Sequence, residues 1–257
     1  MSVESTDPRM LKLERAQALI GLRRFDDAAS LLQELVGADP EVAPAWCLLA
    51  QAQIGLGEME SALECAERAA VLAPDDDWPH RLRSIALEDL GDAEGAIAAA
   101  REAVAKAPQD WRTHNGLATQ LLLAKRDLGE AEAAAELAVA LAPHEPSNHL
   151  ALGSIAQERG NRKEAEEHFR NALALDPQNG PSHAALAARK LRSSRFGRAG
   201  TLADAAAGFR TVVQADPNAG YAVKGLETTL RVFVARPLLP GLRDRLVCEP
   251  HDRGDGR

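Results

Sequence analysis

The sequence predicts an all-α fold, a solenoid of about six helix-turn-helix repeats with a capping helix at the C-terminal end. One observation is a set of six prolines spaced 34, 34, 35, 34 and 40 residues apart, each ending an alanine- and leucine-rich run: Pro40, Pro74, Pro108, Pro143, Pro177 and Pro217. The other is the aromatic content, which is 4% of 257 residues and is low for one large globular core. A stack of helix pairs needs fewer bulky residues, because each pair packs only on its neighbours.

The first predicted repeat is residues 9–42, and it follows an N-terminal tail of residues 1–8. Asp7 is the expected N-cap of its first helix, and Pro8 falls in the first turn, where proline is tolerated. This repeat matches the pattern less well than the others, so we expect it to cap the N-terminal end of the stack.

The second repeat, residues 43–76, shows the unit most clearly. From Trp46 onward, residues recur at the spacing of one helix face, which predicts the first helix. Gly55 and Gly57 are expected to lie in the turn, because glycine adopts backbone angles that other residues avoid. The second helix carries small residues at steps of four and three, a spacing that lets a partner helix approach closely. These residues are Ala62, Ala66 and Ala69.

The same unit is predicted in residues 77–110, 111–145, 146–179 and 180–217. The fourth repeat has one extra residue in its turn, within Lys125 to Gly129. The sixth has about six surplus residues around Arg192 to Thr201, so the pattern predicts its helices but not their connection.

The last helix is predicted in residues 218–236. Ala222, Leu226, Leu230 and Val234 recur every four residues there, which makes an apolar stripe suited to covering the end of the last repeat. Residues 237–257 contain helix-stopping prolines and many charges, so we expect a disordered tail.

The repeats resemble those of the tetratricopeptide-repeat (TPR) family, in the form found in bacterial proteins. The fifth repeat carries most of the family pattern: His149, Leu152, Gly153, Gly160, Ala165, Phe169 and Pro177. The resemblance covers residues 9–217 and implies a right-handed superhelix. It also implies that the first helices of the repeats line a concave groove, which receives an extended peptide or a partner helix.

Residues expected on that groove recur at i, i+3 and i+7 in successive first helices. We predict a partner-binding groove made by Trp78, Arg81, Arg112, Asn115, Thr119 and Gln157. In this interpretation the two arginines hold a carboxylate or phosphate, and Trp78 is an apolar anchor. The alternative is a solvated face on which the arginines pair with nearby acids: Glu88, Asp89 and Asp110.

Charge is distributed unevenly along the chain. Residues 1–176 hold 17 basic and 31 acidic side chains, whereas residues 177–257 hold 13 and 7. A basic cluster is formed by Arg189, Lys190, Arg192, Arg195 and Arg198. This cluster suggests an alternative function, peripheral docking on an anionic surface, either a membrane or a nucleic acid. The charge split also predicts weak self-association. Nucleic acid is a poorer candidate partner, because the chain is acidic overall and the cluster lacks interleaved aromatic residues.

No catalytic, cofactor or metal motif is present in the sequence. The family pattern has an aromatic residue in the first helix of each repeat, and we call this the aromatic position. It is occupied by His80, His149 and His183 in their repeats, so we interpret these histidines as packing residues. The cysteines, Cys47, Cys65 and Cys248, lack the spacing of metal ligands. The leading prediction is therefore a non-enzymatic scaffold that binds another protein, with no cofactor and no metal.

The sequence also bears on location. Residues 1–8 lack the basic start and apolar core of a secretory signal, and no run of about 18 apolar residues occurs. We therefore expect a cytoplasmic protein without a transmembrane segment.

Overall fold

The computed structural model describes residues 7–193, 199–215 and 220–234. All regular secondary structure in these ranges is helical, which confirms the predicted all-α fold. The helices are α1 (Pro8–Gly21), α2 (Phe25–Ala38), α3 (Ala43–Leu56), α4 (Met59–Leu72), α5 (Trp78–Asp89), α6 (Ala93–Lys106), α7 (Trp111–Leu123), α8 (Leu128–Leu141), α9 (Pro146–Glu158), α10 (Arg162–Leu175), α11 (Gly180–Ser193), α12 (Ala199–Ala215) and α13 (Gly220–Val234).

Contacts group the helices into two compact units. The first unit ends at Gly160 and holds α1 to α9, and the second begins at Asn161 and holds α10 to α13. Each predicted repeat contains two helices, and the boundary between the units falls between the two helices of the fifth repeat.

In the first unit, each helix packs on the next helix along the chain. The odd-numbered helices also pack on one another in succession, α1 on α3, α3 on α5, α5 on α7 and α7 on α9. The first helices of the repeats therefore form one layer, as expected for stacked helix pairs. Small residues on the second helices allow this close packing, since Ala62, Ala96 and Ala131 are completely buried.

The helix ends follow the sequence signals in part. Asp7 caps α1 as predicted, because its Oδ1 accepts a hydrogen bond of 2.9 Å from the backbone N–H of Arg9. Gly57 ends α3 with a left-handed φ of 81°. Gly55 does not lie in the turn, contrary to the prediction. It lies within α3, and an added Cβ would be 2.6 Å from the ring of Phe25, so this glycine makes room for an aromatic side chain.

The fourth repeat contains the predicted extra turn residue. Four residues separate α7 from α8, whereas three separate α5 from α6. In the longer turn Lys125 adopts a positive φ of 51°, as Arg23 does at 58° between α1 and α2, whereas three other turns reach this backbone region with Gly57, Gly91 and Gly160.

In the second unit, α13 packs on both α12 and α11. Ala222 and Thr229 of α13 are buried, and Gly225 lies so close to Phe209 that an added Cβ would be 2.4 Å from the ring. The connection at residues 194–198, residues 1–6 of the predicted tail, and the predicted C-terminal tail of residues 237–257 lie outside the described residues.

Candidate functional site

A cavity of about 400 Å³ lies between α5, α6 and α7 of the first unit, and Ser147 of α9 also lines it. We call it the α5–α7 cavity. Residues from α5 that line it are Arg81, Ser84 and Ile85. Residues from α6 are Ala100 and Ala103, and those from α7 include Trp111, Arg112, Asn115 and Thr119.

Four of the six predicted groove residues line this cavity: Arg81, Arg112, Asn115 and Thr119. Trp78 does not line it. This indole is partly buried and packs against the apolar cluster formed by α1 to α5, where a large apolar surface is removed from water. Gln157 is half-buried on α9 and is not among the lining residues.

Both arginines of the cavity are paired with carboxylates at the start of their own helices. Arg81 Nε donates to Asp77 Oδ2 at 2.6 Å, and Arg112 Nη1 donates to both oxygens of Asp110 at 3.3 Å. The Asp110 pair is the one expected for a solvated face, but Arg81 pairs with Asp77 rather than with Glu88 or Asp89. An anionic ligand would therefore compete with a carboxylate already in place at each arginine.

The aromatic side chain of the cavity is Trp111, which the sequence analysis missed. The Arg112 guanidinium carbon lies 5.1 Å from the centroid of the Trp111 ring, a distance suited to a cation–π contact. Trp111 comes directly before Arg112, the residue that the i, i+3, i+7 spacing places on the groove. If the predicted groove positions had been extended by one residue at the start of each first helix, Trp111 would have been included.

Several polar groups near the cavity are occupied by bonds within the chain. Asn115 Nδ2 donates to the backbone oxygen of Ser147 at 3.2 Å and to Asn148 Oδ1 at 2.9 Å, which links α7 to α9. Thr119 Oγ1 donates to the Asn115 carbonyl at 2.8 Å. Ser84 differs, because its side-chain oxygen is buried without a hydrogen-bond partner.

Most residues of the aromatic position share one hydrogen bond. The ring nitrogens of Trp46, His114, His149 and His183 lie 2.8, 2.9, 3.1 and 2.9 Å from the carbonyl oxygen of the proline six residues earlier. His80 is the exception, because its Nδ1 lies 2.9 Å from Glu102 Oε2. Within the described ranges, no group of three or more His, Cys, Asp or Glu residues could hold a metal ion.

The basic cluster is only partly described. Arg189, Lys190 and Arg192 belong to α11, whereas Arg195 and Arg198 lie outside the described residues. No described helix combines the length and the apolar character that a membrane span requires.

Comparison with protein families gives one consistent result. A family model described as tetratricopeptide repeat matches residues 13–77 and 81–146, and a second model with the same description matches residues 146–179. Together the matches include the helices of the first unit except the first residues of α1 and of α5, and they extend through α10.

Individual proteins resemble this chain either over a short segment or at low sequence identity. Cellulose synthase operon protein C of Xanthomonas axonopodis pv. citri is 38% identical over 81 residues, which are 32% of this chain but 5% of that protein. A thermophilic TPR protein of Thermus thermophilus is 24% identical, with a TM-score of 0.61 over 66% of this chain and 93% of its own. YrrB, described as a TPR protein with an unusual peptide-binding site, is 17% identical, with a TM-score of 0.51 over 73% of this chain and 94% of its own. At such identities the two structures share the fold with this chain.

Proposed function

This chain belongs to the tetratricopeptide-repeat family, and on that premise we propose that it is a non-enzymatic scaffold that binds a peptide segment of another protein in the α5–α7 cavity. The observation that carries the proposal is the cavity of about 400 Å³. Its volume falls in the range of roughly 300–1,000 Å³ that is usual for ligand sites.

The residues around the cavity are of the types that contribute most to protein interfaces. Trp111 stacks with the exposed Arg112, and Ile85 keeps 43% of its surface exposed although it is aliphatic. Tryptophan and arginine are enriched among the residues that dominate binding energy. The peptide-binding site named for YrrB supports the same kind of ligand, and we extend it to this chain as part of the proposal.

Charge should select among partners. Residues 1–176, which include the whole cavity, hold 17 basic and 31 acidic side chains. This excess of negative charge slows the approach of an acidic segment and favours a neutral or basic one. We therefore propose a partner segment without net negative charge.

The test is a crosslinking capture of partners from the native cell, with the full chain as bait. Ile85→Ala combined with Arg112→Ala should weaken capture of the partner by about 10- to 100-fold in affinity, the effect of losing interface anchors. Arg101→Ala is the matched control, because Arg101 is an exposed arginine on α6 that pairs with Glu130 and does not line the cavity.

The outcomes separate this proposal from its rivals. Capture should persist at about 0.5 M salt, where surface electrostatics are screened. Equal capture by the double variant and by Arg101→Ala would remove the partner from the cavity. Binding to anionic vesicles that disappears at high salt, without partner capture, would favour docking through the basic cluster instead.

A further inference from the structure

We infer that the α5–α7 cavity receives one phenylalanine of the bound segment, with its ring against the α7 backbone at Gly116 and its peptide group hydrogen-bonded to Gln120. This inference rests on the proposed function and specifies its ligand chemistry. Gly116 and Gln120 lie about one helical turn apart on α7, and both line the cavity. One face of α7 therefore offers an open backbone surface beside a polar group.

Gly116 is the first observation. It lies within α7, where glycine is less favourable than alanine. A Cβ added to Gly116 would have no neighbouring atom within 4 Å, so packing inside the protein does not require a glycine there. Gly116 lines the cavity, so a ligand in the cavity can approach the α7 backbone closely.

Two other helix glycines show what such a surface receives in this protein. Gly55 of α3 lies against the ring of Phe25, and Gly225 of α13 lies against the ring of Phe209. At each of them an added Cβ would collide with the ring. In the part of the chain that the structure describes, no ring covers Gly116 in this way, so we assign the equivalent ring to the ligand.

Gln120 is the second observation. It is 6% exposed, and its side-chain amide makes no hydrogen bond to a described residue. Neither amide atom is sealed from solvent, which distinguishes Gln120 from the enclosed hydroxyl of Ser84. A mostly buried amide without a partner favours a ligand that bonds to it. Its donor and its acceptor match the carbonyl and the N–H of a peptide group.

The cavity walls suit a ring. Ala100 and Ala103 of α6 are buried and have small side chains, so they leave space between α5 and α7. Ile85 and the partly buried Trp111 provide larger apolar surfaces. An aromatic occupant can pack against the Trp111 ring, and aromatic pairs are favourable beyond their buried area.

Charge favours an uncharged side chain in the cavity. The guanidinium groups of Arg81 and Arg112 already pair with Asp77 and Asp110. An anion would have to displace these carboxylates, and it would also meet the excess of acidic side chains in residues 1–176. A phenylalanine ring carries no charge and avoids both penalties.

The experiment uses the full chain labelled with ¹⁵N, titrated with single-residue probes while the backbone amide signals of Asn115 and Leu117 are followed. The probes are N-acetyl-phenylalanine amide, N-acetyl-leucine amide and N-acetyl-phenylalanine, whose free carboxylate is negative. We expect the phenylalanine amide to bind about 2- to 10-fold more tightly than the leucine amide, the effect of one aromatic contact. The probe with the free carboxylate should bind more weakly than the phenylalanine amide.

Two variants and a control locate the contacts. Gly116→Ala should weaken binding of the phenylalanine amide about 5-fold or more, because the new methyl group occupies the place of the ring. Gln120→Met should weaken both amides by about 2- to 10-fold, because they share the peptide groups. The control is Gly37→Ala, since Gly37 lies on α2, does not line the cavity and also has room for a Cβ. Both alanine variants should raise the melting midpoint by about 1–4 °C, so that only Gly116→Ala combines higher stability with weaker binding.

Any of five results would overturn the inference: equal binding of the two amides to the wild type, tightest binding of the free carboxylate, wild-type affinity in Gly116→Ala, wild-type affinity in Gln120→Met, or no shift with any probe. Capture experiments distinguish this failure from failure of the scaffold. If the Ile85/Arg112 double variant loses its partner but the phenylalanine amide does not bind, the scaffold stands and the phenylalanine specificity falls. If the amide binds as expected but the double variant keeps its partner, the proposed function of the cavity falls and the partner binds elsewhere on the chain.

Discussion

Two joints between repeats in the first unit use different chemistry at equivalent positions. Where α4 meets α5, the buried position is occupied by Pro79. Where α8 meets α9, it is occupied by Asn148, which is completely buried and donates to the carbonyl oxygens of Ala138 and Ala142 at 2.9 and 3.1 Å. A polar residue is accepted at this position because carbonyls at the end of the preceding helix lie within reach.

The joint between α6 and α7 is intermediate. Thr113 occupies the same position, and its hydroxyl oxygen lies 3.0 and 2.9 Å from the carbonyl oxygens of Ala107 and Asp110, which share its one proton as acceptors. The three joints therefore form a series from an apolar ring to a hydroxyl to an amide. In this series the repeat fixes the location of the position, and local hydrogen bonding decides which residue fills it.

The largest effect should be the same at both joints. Ala62 of α4 and Ala131 of α8 have no exposed surface. We expect aspartate at either position to destabilise the protein by about 3 kcal/mol or more, because an unpaired charge is buried. Leucine should destabilise by about 1–3 kcal/mol through overpacking. Thermal unfolding followed by circular dichroism measures both.

Ala96 of α6 is equally buried and should respond in the same way. If these variants kept the wild-type melting midpoint and helicity, the assignment of this face as the packing face would be wrong.

A smaller effect should distinguish the joints. Asn148→Leu removes the donor to two carbonyls and the acceptor for Asn115, so we expect a loss of about 2 kcal/mol. Thr113→Val replaces one hydroxyl with a methyl group of similar size, so we expect the free energy of unfolding to fall by about 1 kcal/mol.

Urea unfolding is the measurement, and Asn171→Leu is the control, because Asn171 is exposed on α10. Equal losses for Asn148→Leu and Asn171→Leu would show that the buried amide contributes no stability to the joint.

The last effect is absent at neutral pH and comes from two buried thiols on α3 and α4, the helices that precede the first of the two joints. Burial raises the pKa of the Cys47 thiol on α3 from 9.0 to about 12, with a smaller contribution from Asp76. Burial also raises the pKa of Cys65 on α4 to about 11. The unfolded chain loses these thiol protons at a lower pH than the folded protein does. The stability that the buried thiols contribute is therefore complete below about pH 9 and declines as the pH rises toward 12.

The measurement is the free energy of unfolding at a series of pH values, for the wild type and for Cys47→Ala with Cys65→Ala. Other side chains also titrate between pH 9 and 12, so the comparison is between the slopes of the free energy of unfolding against pH for the two proteins. We expect a shallower decline in the double variant, and parallel slopes would contradict the assigned cause.

The sequence by itself determined the order and approximate bounds of the helix pairs, since these depend on local signals. The helix-ending prolines, the small residues on the second helices and the Asp7 cap are features of single repeats. The structure agrees with the small residues, the cap and the prolines from Pro40 to Pro177, whereas Pro217 lies outside the described residues. The extra turn residue of the fourth repeat was visible for the same reason, although the positive φ of Lys125 was not.

Only the tertiary structure decided which side chains line the α5–α7 cavity. Trp111 rather than Trp78 lines the α5–α7 cavity, and Gly55 serves the packing of Phe25 rather than a turn. The exceptional contact of His80 with Glu102 and the missing partner of Ser84 are likewise properties of the packed helices. These features depend on where residues of other helices lie, and a shift of one residue along a helix changes which side chain faces the cavity.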